Sequence, residues 1–468
     1  MNTGISAQEI PKVSMFYRTV TVSVVGDPAM FATTLAAAGI FDQSVVYERT
    51  GSWWFAGGAR FTVRLYRDRV VTTHPEGERT SPVGGEPLRV LAAALDGLPV
   101  DGWRAYGWAA FELGHAVAGA NPFGAAPGEA DQPLVHLIVP AVELVVRDAT
   151  LEVRAADQRS LDQVLSFVAG LDPSKADHGA RRPSRPVDVH PGGYPGDPDA
   201  ESYGAAVSAA TARIQAGALT KVILSRRLSV PFEVDFPATC LRGRQANTPA
   251  RTFLLDLPGL RTTGFSPETV VEVAPDGAVA TRPLAGTRAR GLGTTCDARN
   301  RAELYTDSKE VHEHAISVKL AVEELHAVCE PDSVAVRGFM DVEPRGSVQH
   351  LASYVTGQLR ADRTGWDALA ALFPAVTASG IPKAAAFGEI AAFEREPRGI
   401  YAGAVLQAGS DGFLDAALVL RAVIATRGRT WLQAGAGIVA DSTPQREYTE
   451  TCEKLASIAP HLVPVDFG

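Results

Sequence analysis

The chain has 468 residues, 46% of them hydrophobic and 21% charged, which is typical of a globular protein with one large core or two to three ordinary domains. Its formal net charge of −9 disfavours binding to a phosphate backbone, so we expect no nucleic-acid partner. The four cysteines are scattered without a metal-binding spacing, and no run of about 18 apolar residues occurs. We therefore expect a cytoplasmic protein with reduced thiols, without a signal peptide and without a membrane span.

Strand-like segments dominate the first third of the chain. Helical patterns at Pro87–Leu95 and Leu161–Leu171 interrupt the strand patterns, which are Val20–Val25, Trp53–Ala56, Phe61–Tyr66, Leu134–Val146 and Leu151–Ala155. This order lacks the regular strand–helix alternation of doubly wound proteins. It favours an α+β fold rich in antiparallel pairing.

A Pro/Gly-rich, charged segment at 171–200 contains too few apolar residues to form a buried element. We divide the chain there into an N-terminal α+β lobe (1–170), a linker or crossover (171–200) and a C-terminal region (201–468). A true domain boundary and a surface crossover inside one interleaved fold remain alternatives.

The C-terminal region has clearer patterns. A helix at Glu201–Leu219 precedes a strand at Lys221–Val230. Two hairpins with Asp-Gly turns are predicted, joining Thr269–Ala274 to Val279–Arg282 and Tyr401–Ala408 to Leu414–Arg421. Long helices are predicted at about Arg301–Val328 and Pro444–Ile458, the second capped by Ser442 or Thr443.

Two glutamate pairs are candidate metal ligands. Glu310 and Glu313 are three residues apart on one predicted helix, and Glu447 and Glu450 on another, so each pair shares a helix face. Hard carboxylate oxygens that leave positions for water and a substrate carboxylate suit Mg²⁺. For either pair alone a solvated acidic face is the alternative, and spacing does not show that the pairs converge.

Lys221 is a candidate general base. On the predicted strand it faces the same side as Ile223, and burial there would lower the pKa of its amine. The alternative is a lysine that extends to solvent from the strand end.

Three Gly/Thr/Ser segments at 283–288, 373–380 and 434–437 are interpreted as turns. Their glycines would let the backbone approach an anion closely, and ordinary turns that bind no ligand are the alternative.

Ten segments taken in order closely resemble the chorismate-utilising enzymes. They span Lys221 to Lys454 and read KVILSRR, GFSPETV, RPLAGTRARG, SKEVHEHA, RGSVQHL, FPAVTASGIPK, RGIYAGAV, LVLRAV, AGAGIV and EYTETCEK. The N-terminal lobe resembles the family only loosely, chiefly in AYGWAAFELG. The resemblance implies large antiparallel sheets packed against outer helices in two interleaved lobes, with 201–468 as the catalytic, chorismate-binding region.

Within the family the chain most resembles the salicylate synthases of mycobactin-type siderophore pathways. Lys221 stands where anthranilate synthases have glutamine, and Thr377 resembles members that eliminate pyruvate. Arg282 departs toward the anthranilate synthases. The resemblance implies conversion of chorismate to salicylate and pyruvate through bound isochorismate. Isochorismate synthase, anthranilate synthase component I and a non-catalytic chorismate-binding protein are the alternatives.

The resemblance also implies roles for individual residues. Lys221 would activate the attacking water, Glu268 would protonate the departing hydroxyl group, and His350 and Thr377 would orient the second step. Mg²⁺ would be bound directly by Glu313 and Glu450 and through water by Glu310 and Glu447. The residues implied to bind substrate are Thr287, Tyr401, Arg421, Gly435 and Lys454. We expect a monomer without a glutaminase subunit.

Overall fold

The computed structural model describes residues 16–24, 26–120, 132–170, 192, 198–394 and 396–465, which form 21 strands and 11 α-helices. The strands are β1 (Arg18–Ser23), β2 (Ser44–Arg49), β3 (Ser52–Leu65), β4 (Arg69–His74), β5 (Gly77–Pro82), β6 (Arg104–Ala109), β7 (Val135–Arg147), β8 (Thr150–Ala155), β9 (Lys221–Ser229), β10 (Arg251–Leu257), β11 (Leu260–Ser266), β12 (Thr269–Val273), β13 (Ala278–Thr281), β14 (Leu284–Ala289), β15 (Ala335–Arg345), β16 (Val348–Gln358), β17 (Gly380–Ile381), β18 (Ala404–Gly409), β19 (Leu414–Leu418), β20 (Ala422–Thr426) and β21 (Arg429–Ile438). The helices are α1 (Pro28–Ala37), α2 (Pro87–Asp96), α3 (Leu113–Val117), α4 (Gln158–Gly170), α5 (Pro198–Gln215), α6 (Phe236–Ala246), α7 (Thr294–Thr306), α8 (Ser308–His326), α9 (Gly365–Leu372), α10 (Lys383–Phe393) and α11 (Pro444–Leu455).

The long strands β3 and β7 connect two antiparallel sheets. One sheet runs β1–β8–β7–β3–β2–β10–β11–β20–β21–β9–β17, and the other runs β5–β4–β3–β7–β6–β18–β19–β12–β13–β16, with β14 and β15 also paired to β16. The predicted α+β fold with large antiparallel sheets is confirmed.

A bulge in β3 overturns one prediction. The segments Trp53–Ala56 and Phe61–Tyr66 were expected as separate strands, but the pairing of β3 with β7 continues through a register shift between Ala59 and Phe61. Gly58 at φ +64° adopts the left-handed conformation there. An extra residue bends a strand without ending it, so each half of β3 joins a different sheet.

Each sheet combines strands from before residue 170 and after residue 198. Strand β2 pairs with β10, and β6 pairs with β18, so the two parts of the chain are hydrogen-bonded neighbours. Most of the predicted linker, including Arg181, Arg182 and Arg185, lies outside the described residues. The boundaries at 170 and 200 therefore stay a prediction.

The core has two layers because successive side chains of a strand point to opposite faces. In β2, Val45 and Tyr47 join the main apolar cluster, which includes residues of both sheets. Val46 between them joins a second cluster that α1 and α6 cover. The outer helices thus bury the first sheet on the face away from the main core.

Three local predictions were wrong. The helix expected at Arg301–Val328 is two helices, because Asp307 ends α7 and caps α8 by accepting hydrogen bonds from the backbone N–H groups of Lys309 (3.0 Å) and Glu310 (3.2 Å). The segments 283–288 and 434–437, expected as turns, lie largely in β14 and within β21. Thr443 does precede α11, but its side chain makes no capping hydrogen bond.

Two expectations drawn from composition can be compared with the described residues. All four cysteines are free. None of the helices in the described part of the chain is long and apolar enough to cross a membrane.

Candidate active site

A cavity between β9, β14, β16, β21 and α11 collects most of the predicted site residues. It is also lined by the 3-10 turn at Val376–Ala378. Ten predicted residues form its wall, namely Glu268, Thr287, Glu313, His350, Thr377, Tyr401, Arg421, Gly435, Glu450 and Lys454. The other three, Lys221, Glu310 and Glu447, are buried behind it.

The two glutamate pairs converge, which sequence spacing could not show. They come from α8 and α11, and all four carboxylates surround the amine of Lys309. The distances from Lys309 Nζ are 3.7 Å to Glu310, 3.6 Å to Glu313, 3.3 Å to Glu447 and 4.0 Å to Glu450. The alternative of two separate solvated faces is excluded, because all four side chains are buried.

The cluster has oxygen atoms that can accept a cation. The carboxylate of Glu447 and Oε2 of Glu450 make no well-formed hydrogen bond, although the Ser442 hydroxyl lies close to Glu447. Among the described residues, no group of three His, Cys, Asp or Glu side chains is arranged around a single metal position. Hard, buried and unsatisfied carboxylate oxygens nevertheless fit Mg²⁺ chemically.

The pKa values of the four carboxyl groups are shifted in different directions. Burial alone would raise the pKa of Glu313, but Lys221 and Lys309 outweigh it and lower that pKa. Lys454 and Lys309 likewise outweigh burial and lower the pKa of Glu450. Burial raises the pKa of Glu310, and burial together with Glu450 raises that of Glu447 to about 7. The two carboxyl groups whose pKa is lowered, Glu313 and Glu450, are thus the two that line the cavity.

Two glycines shape the carboxylate cluster. A Cβ atom on Gly437 would lie 2.1 Å from Oε1 of Glu313, so only glycine lets this carboxylate approach β21 so closely. Gly286 has φ +81° at a bulge in β14, and the backbone N–H of the next residue, Thr287, donates to Oε2 of Glu310 at 3.1 Å. The backbone therefore binds Glu310 through a hydrogen bond and leaves room for Glu313.

Lys221 begins β9 and is fully buried, which rules out a side chain extending to solvent. Its Nζ lies 3.0 Å from Oε1 of Glu313 and donates to Oγ of Ser317 at 3.1 Å. Ser317 in turn donates to the backbone carbonyl of Glu313. The amine is thus fixed directly behind the wall of the cavity that Glu313 forms.

Glu268 is a buried carboxyl group in the cavity wall. Burial raises its pKa to about 8, even though the Thr377 hydroxyl and Lys221 act in the opposite direction. Thr377 donates to Oε1 of Glu268 at 2.6 Å. At neutral pH the carboxyl group therefore holds a proton that it can donate.

Arg421 presents a buried positive charge to the cavity. Its guanidinium donates to the carbonyl of Arg345 at 2.9 Å and to Nε2 of His350 at 2.6 Å. Burial, followed by Arg345, lowers its pKa to about 9, which still leaves it charged at neutral pH. No ion pair links it to a carboxylate of the described residues, so an anionic ligand would supply the missing partner.

The hydrogen bonds of His350 fix its tautomer. Arginine only donates, so Nε2 accepts and the proton resides on Nδ1, which faces Oγ1 of Thr287 (3.1 Å) and the carbonyl of Gly286 (3.3 Å). Burial and then Arg421 lower the pKa of His350 well below its usual value. The imidazole is therefore a neutral, oriented group.

The remaining wall residues form a polar group beside the cluster. Lys454 Nζ donates to the carbonyl of Gly435 and lies 2.8 Å from Oε1 of Glu450. The backbone N–H of Gly435 lies near the hydroxyl of Tyr401, whose pKa burial raises. This arrangement brings together donors from β21, from α11 and from the turn that contains Tyr401.

Sequence reasoning missed two residues that the site uses. Lys309 was overlooked, although a lysine in the first turn of a helix beside two glutamates is an unusual signal. Arg398 begins the RGIYAGAV motif, but no role was predicted for it. It is buried behind the cavity and donates to the carbonyls of Ala378 and Ile223 at 2.7 Å each, which ties the Thr377 turn to β9.

Known proteins are similar to this chain in sequence. A family model described as chorismate binding enzyme matches residues 46–460. A salicylate synthase from Mycolicibacterium paratuberculosis is 43% identical over 442 residues, which cover 93% of this chain and 94% of that protein. Anthranilate synthase component 1 from Streptomyces coelicolor is 43% identical over 250 residues, covering 53% of this chain and 48% of that protein.

Solved structures of other proteins have a similar fold. Anthranilate synthase component I from Streptococcus pneumoniae superposes with a TM-score of 0.71 at 28% identity, covering 87% of this chain and 92% of that one. The menaquinone-specific isochorismate synthase from Escherichia coli shares the fold with a TM-score of 0.69 at 21% identity, covering 98% and 97%. The resemblance read from the motifs is confirmed, and the chain belongs to the family of chorismate binding enzymes.

Proposed function

We propose that the chain is a salicylate synthase that converts chorismate to isochorismate and then to salicylate and pyruvate. The observation that carries this proposal is the convergence of three groups on one cavity: a protonated carboxyl group, a guanidinium without an anionic partner in the described part of the chain, and a carboxylate cluster. The near full-length similarity to a salicylate synthase supports it.

The first step exchanges a hydroxyl group between two ring carbons. The neutral amine of Lys221 accepts a proton from water, whose oxygen bonds to C2 of the chorismate ring. Glu268 gives its proton to the C4 hydroxyl, which leaves as water while both ring double bonds shift. The high pKa of Glu268 keeps this acid loaded at neutral pH. Lys221 is fixed for its role by Ser317 and Glu313.

The second step is an elimination within bound isochorismate. The bond between the ring and the ether oxygen breaks as the C2 hydrogen moves to the enolpyruvyl methylene carbon, which releases pyruvate and leaves salicylate. The protein contributes mainly orientation. Neutral His350 and Thr377, whose hydroxyl is held by Glu268, are the orienting groups.

Two sets of site residues would hold the two substrate carboxylates. Arg421, Tyr401 and the backbone of Gly435 would bind the enolpyruvyl carboxylate, with Thr287 and Lys454 completing the polar lining. Glu313 and Glu450 would hold Mg²⁺ directly, and Glu310 and Glu447 through water. Bound Mg²⁺ would supply positive charge that neutralises the ring carboxylate.

We further propose a cytoplasmic monomer that needs no glutaminase subunit and supplies salicylate to a siderophore pathway. These points rest on the resemblance to mycobactin-type salicylate synthases. Size-exclusion chromatography with light scattering of the purified chain tests the monomer.

Product analysis tests the proposed reaction. Purified protein is incubated with chorismate and Mg²⁺, and the products are separated by chromatography. We expect salicylate and pyruvate in equal amounts. Isochorismate alone would identify an isochorismate synthase, and anthranilate formed with added ammonium would identify an anthranilate synthase.

Two further measurements test the roles of the base and the metal. Lys221→Gln should form neither isochorismate nor salicylate, and substantial salicylate from this variant would refute the role of Lys221 as base. Chelation with EDTA should stop turnover, and readdition of Mg²⁺ should restore it. Undiminished activity in EDTA would refute the metal assignment.

A further inference from the structure

Lys309 lies at the centre of the carboxylate cluster that the proposed function assigns to Mg²⁺. It is the second residue of α8, and its side chain is 13% exposed. Its Nζ is within 4.0 Å of all four cluster carboxylates, at distances of 3.3 to 4.0 Å. The ammonium group thus contacts the same oxygen-bearing groups that a divalent cation would use.

The position of Lys309 in its helix is electrostatically unfavourable. The N-terminal turn of a helix carries a partial positive charge, which disfavours a cation there. A lysine at such a position would ordinarily extend into solvent, as Lys319 does later in the same helix with 77% of its side chain exposed. The inward orientation of Lys309 therefore requires a compensating attraction, and the four carboxylates provide it.

The cluster depends on Lys309 for its charge balance. Glu310 also pairs with Arg288, Glu313 with Lys221, and Glu450 with Lys454. Among the described residues, Glu447 has no ion pair other than that with Lys309 at 3.3 Å. Lys309 is also the one cation in the described ion pairs that reaches all four carboxylates. Its removal would leave buried carboxylates that repel one another.

We propose that Lys309 is an internal counter-cation that holds the four glutamates together and competes with the divalent cation for them. This inference rests on the proposed metal site. A lysine suits the role because its ammonium is a compact charge on a flexible stem that can move out of the cluster. Lys309 thereby stabilises the cluster when no divalent cation is bound, and it weakens Mg²⁺ binding because its charge must first be displaced.

A neutral substitution of similar length tests both halves of the proposal. Lys309→Met is compared with the wild-type protein and with Lys319→Met, which removes an exposed lysine from the same helix. Thermal unfolding is measured in EDTA and in Mg²⁺, and Mg²⁺ binding is measured by calorimetry. We expect Lys309→Met to unfold at a lower temperature than the wild type in EDTA. We also expect its affinity for Mg²⁺ to exceed that of the wild type by about 10-fold or more. Lys319→Met should match the wild type in both measurements.

The outcomes separate this inference from the proposed function. If the wild type binds Mg²⁺ and Lys309→Met has the same affinity and the same stability in EDTA, the counter-cation role is refuted while the metal site stands. If the wild type binds no Mg²⁺, the metal site itself is refuted, and so is the proposed competition between Lys309 and Mg²⁺. A Lys309→Met protein that stays folded only with Mg²⁺ is the strongest form of the expected result.

A measurement on the wild-type protein covers the case in which Lys309→Met does not fold at all. Lysines are acetylated briefly with and without Mg²⁺ and quantified by mass spectrometry. We expect Mg²⁺ to increase the labelling of Lys309 relative to that of Lys319, because displacement brings the amine out of the cluster. Unchanged labelling under saturating Mg²⁺ would refute the displacement.

Discussion

Replacing Glu268 with glutamine should slow catalysis strongly and at the same time stabilise the fold at alkaline pH relative to the wild type. Glu268 is 3% exposed, and burial raises its pKa from 4.5 to about 8. The native state therefore keeps a proton that the unfolded chain loses as the pH rises above 4.5. A group with a raised native pKa contributes stability that is present at low pH and lost as the pH rises toward 8.

The size of this effect follows from the pKa shift. One pKa unit corresponds to about 1.4 kcal/mol, so the wild type loses roughly 4 kcal/mol from this residue between about pH 5 and about pH 9. Glutamine does not titrate, and its amide oxygen can still accept the Thr377 hydroxyl. The stability of Glu268→Gln relative to the wild type should therefore grow by roughly 4 kcal/mol over this range.

Urea unfolding at about pH 5 and about pH 9 measures this difference. Glu323→Gln, an equal change of charge on the exposed surface of α8, is the matched control and should show no such growth. The rate of isochorismate formation should fall by about 10²- to 10⁴-fold in Glu268→Gln because the general acid is lost. A stability difference that is the same at both pH values would refute the reasoning, and so would unchanged catalysis.

Three further substitutions test other parts of the site. Arg421→Met should raise KM for chorismate by about 10- to 100-fold, as steady-state kinetics would show, because charge-assisted hydrogen bonds contribute about 1.5–3 kcal/mol; an unchanged KM would exclude Arg421 from substrate binding. Gly437→Ala should weaken Mg²⁺ binding, measured by calorimetry, by about 10-fold or more, because the added Cβ would collide with Glu313. The control Gly388→Ala should leave Mg²⁺ binding unchanged, because no atom of the described residues outside its own helix backbone lies within 4 Å of the new Cβ. Asp307→Ala should lower the free energy of unfolding, measured in urea, by about 1 kcal/mol because the α8 cap is lost. Asp307→Asn should retain most of this stability, because asparagine can also cap a helix. Equal losses in the two variants would contradict the capping role.

Local patterns in the sequence were sufficient for much of the fold. The Asp-Gly dipeptides at 276–277 and 411–412 predicted two hairpins, and β12–β13 and β18–β19 pair as expected. A tight turn needs particular residues at its centre, so its signal is contained in a few neighbouring positions. The bulge in β3 was missed because it depends on pairing with β7, more than 70 residues away along the chain.

The sequence determined which residue types the site would contain, because ordered motifs led to the predicted acid, the predicted base and the glutamate pairs. Only the tertiary structure decided how they meet. It turned α8 and α11 so that both glutamate pairs face Lys309, and it left Arg421 buried without a carboxylate partner among the described residues. It also raised the pKa of Glu268 by removing the carboxyl group from water. Convergence and desolvation depend on contacts between distant parts of the chain, and residue spacing within one helix or strand carries no record of them.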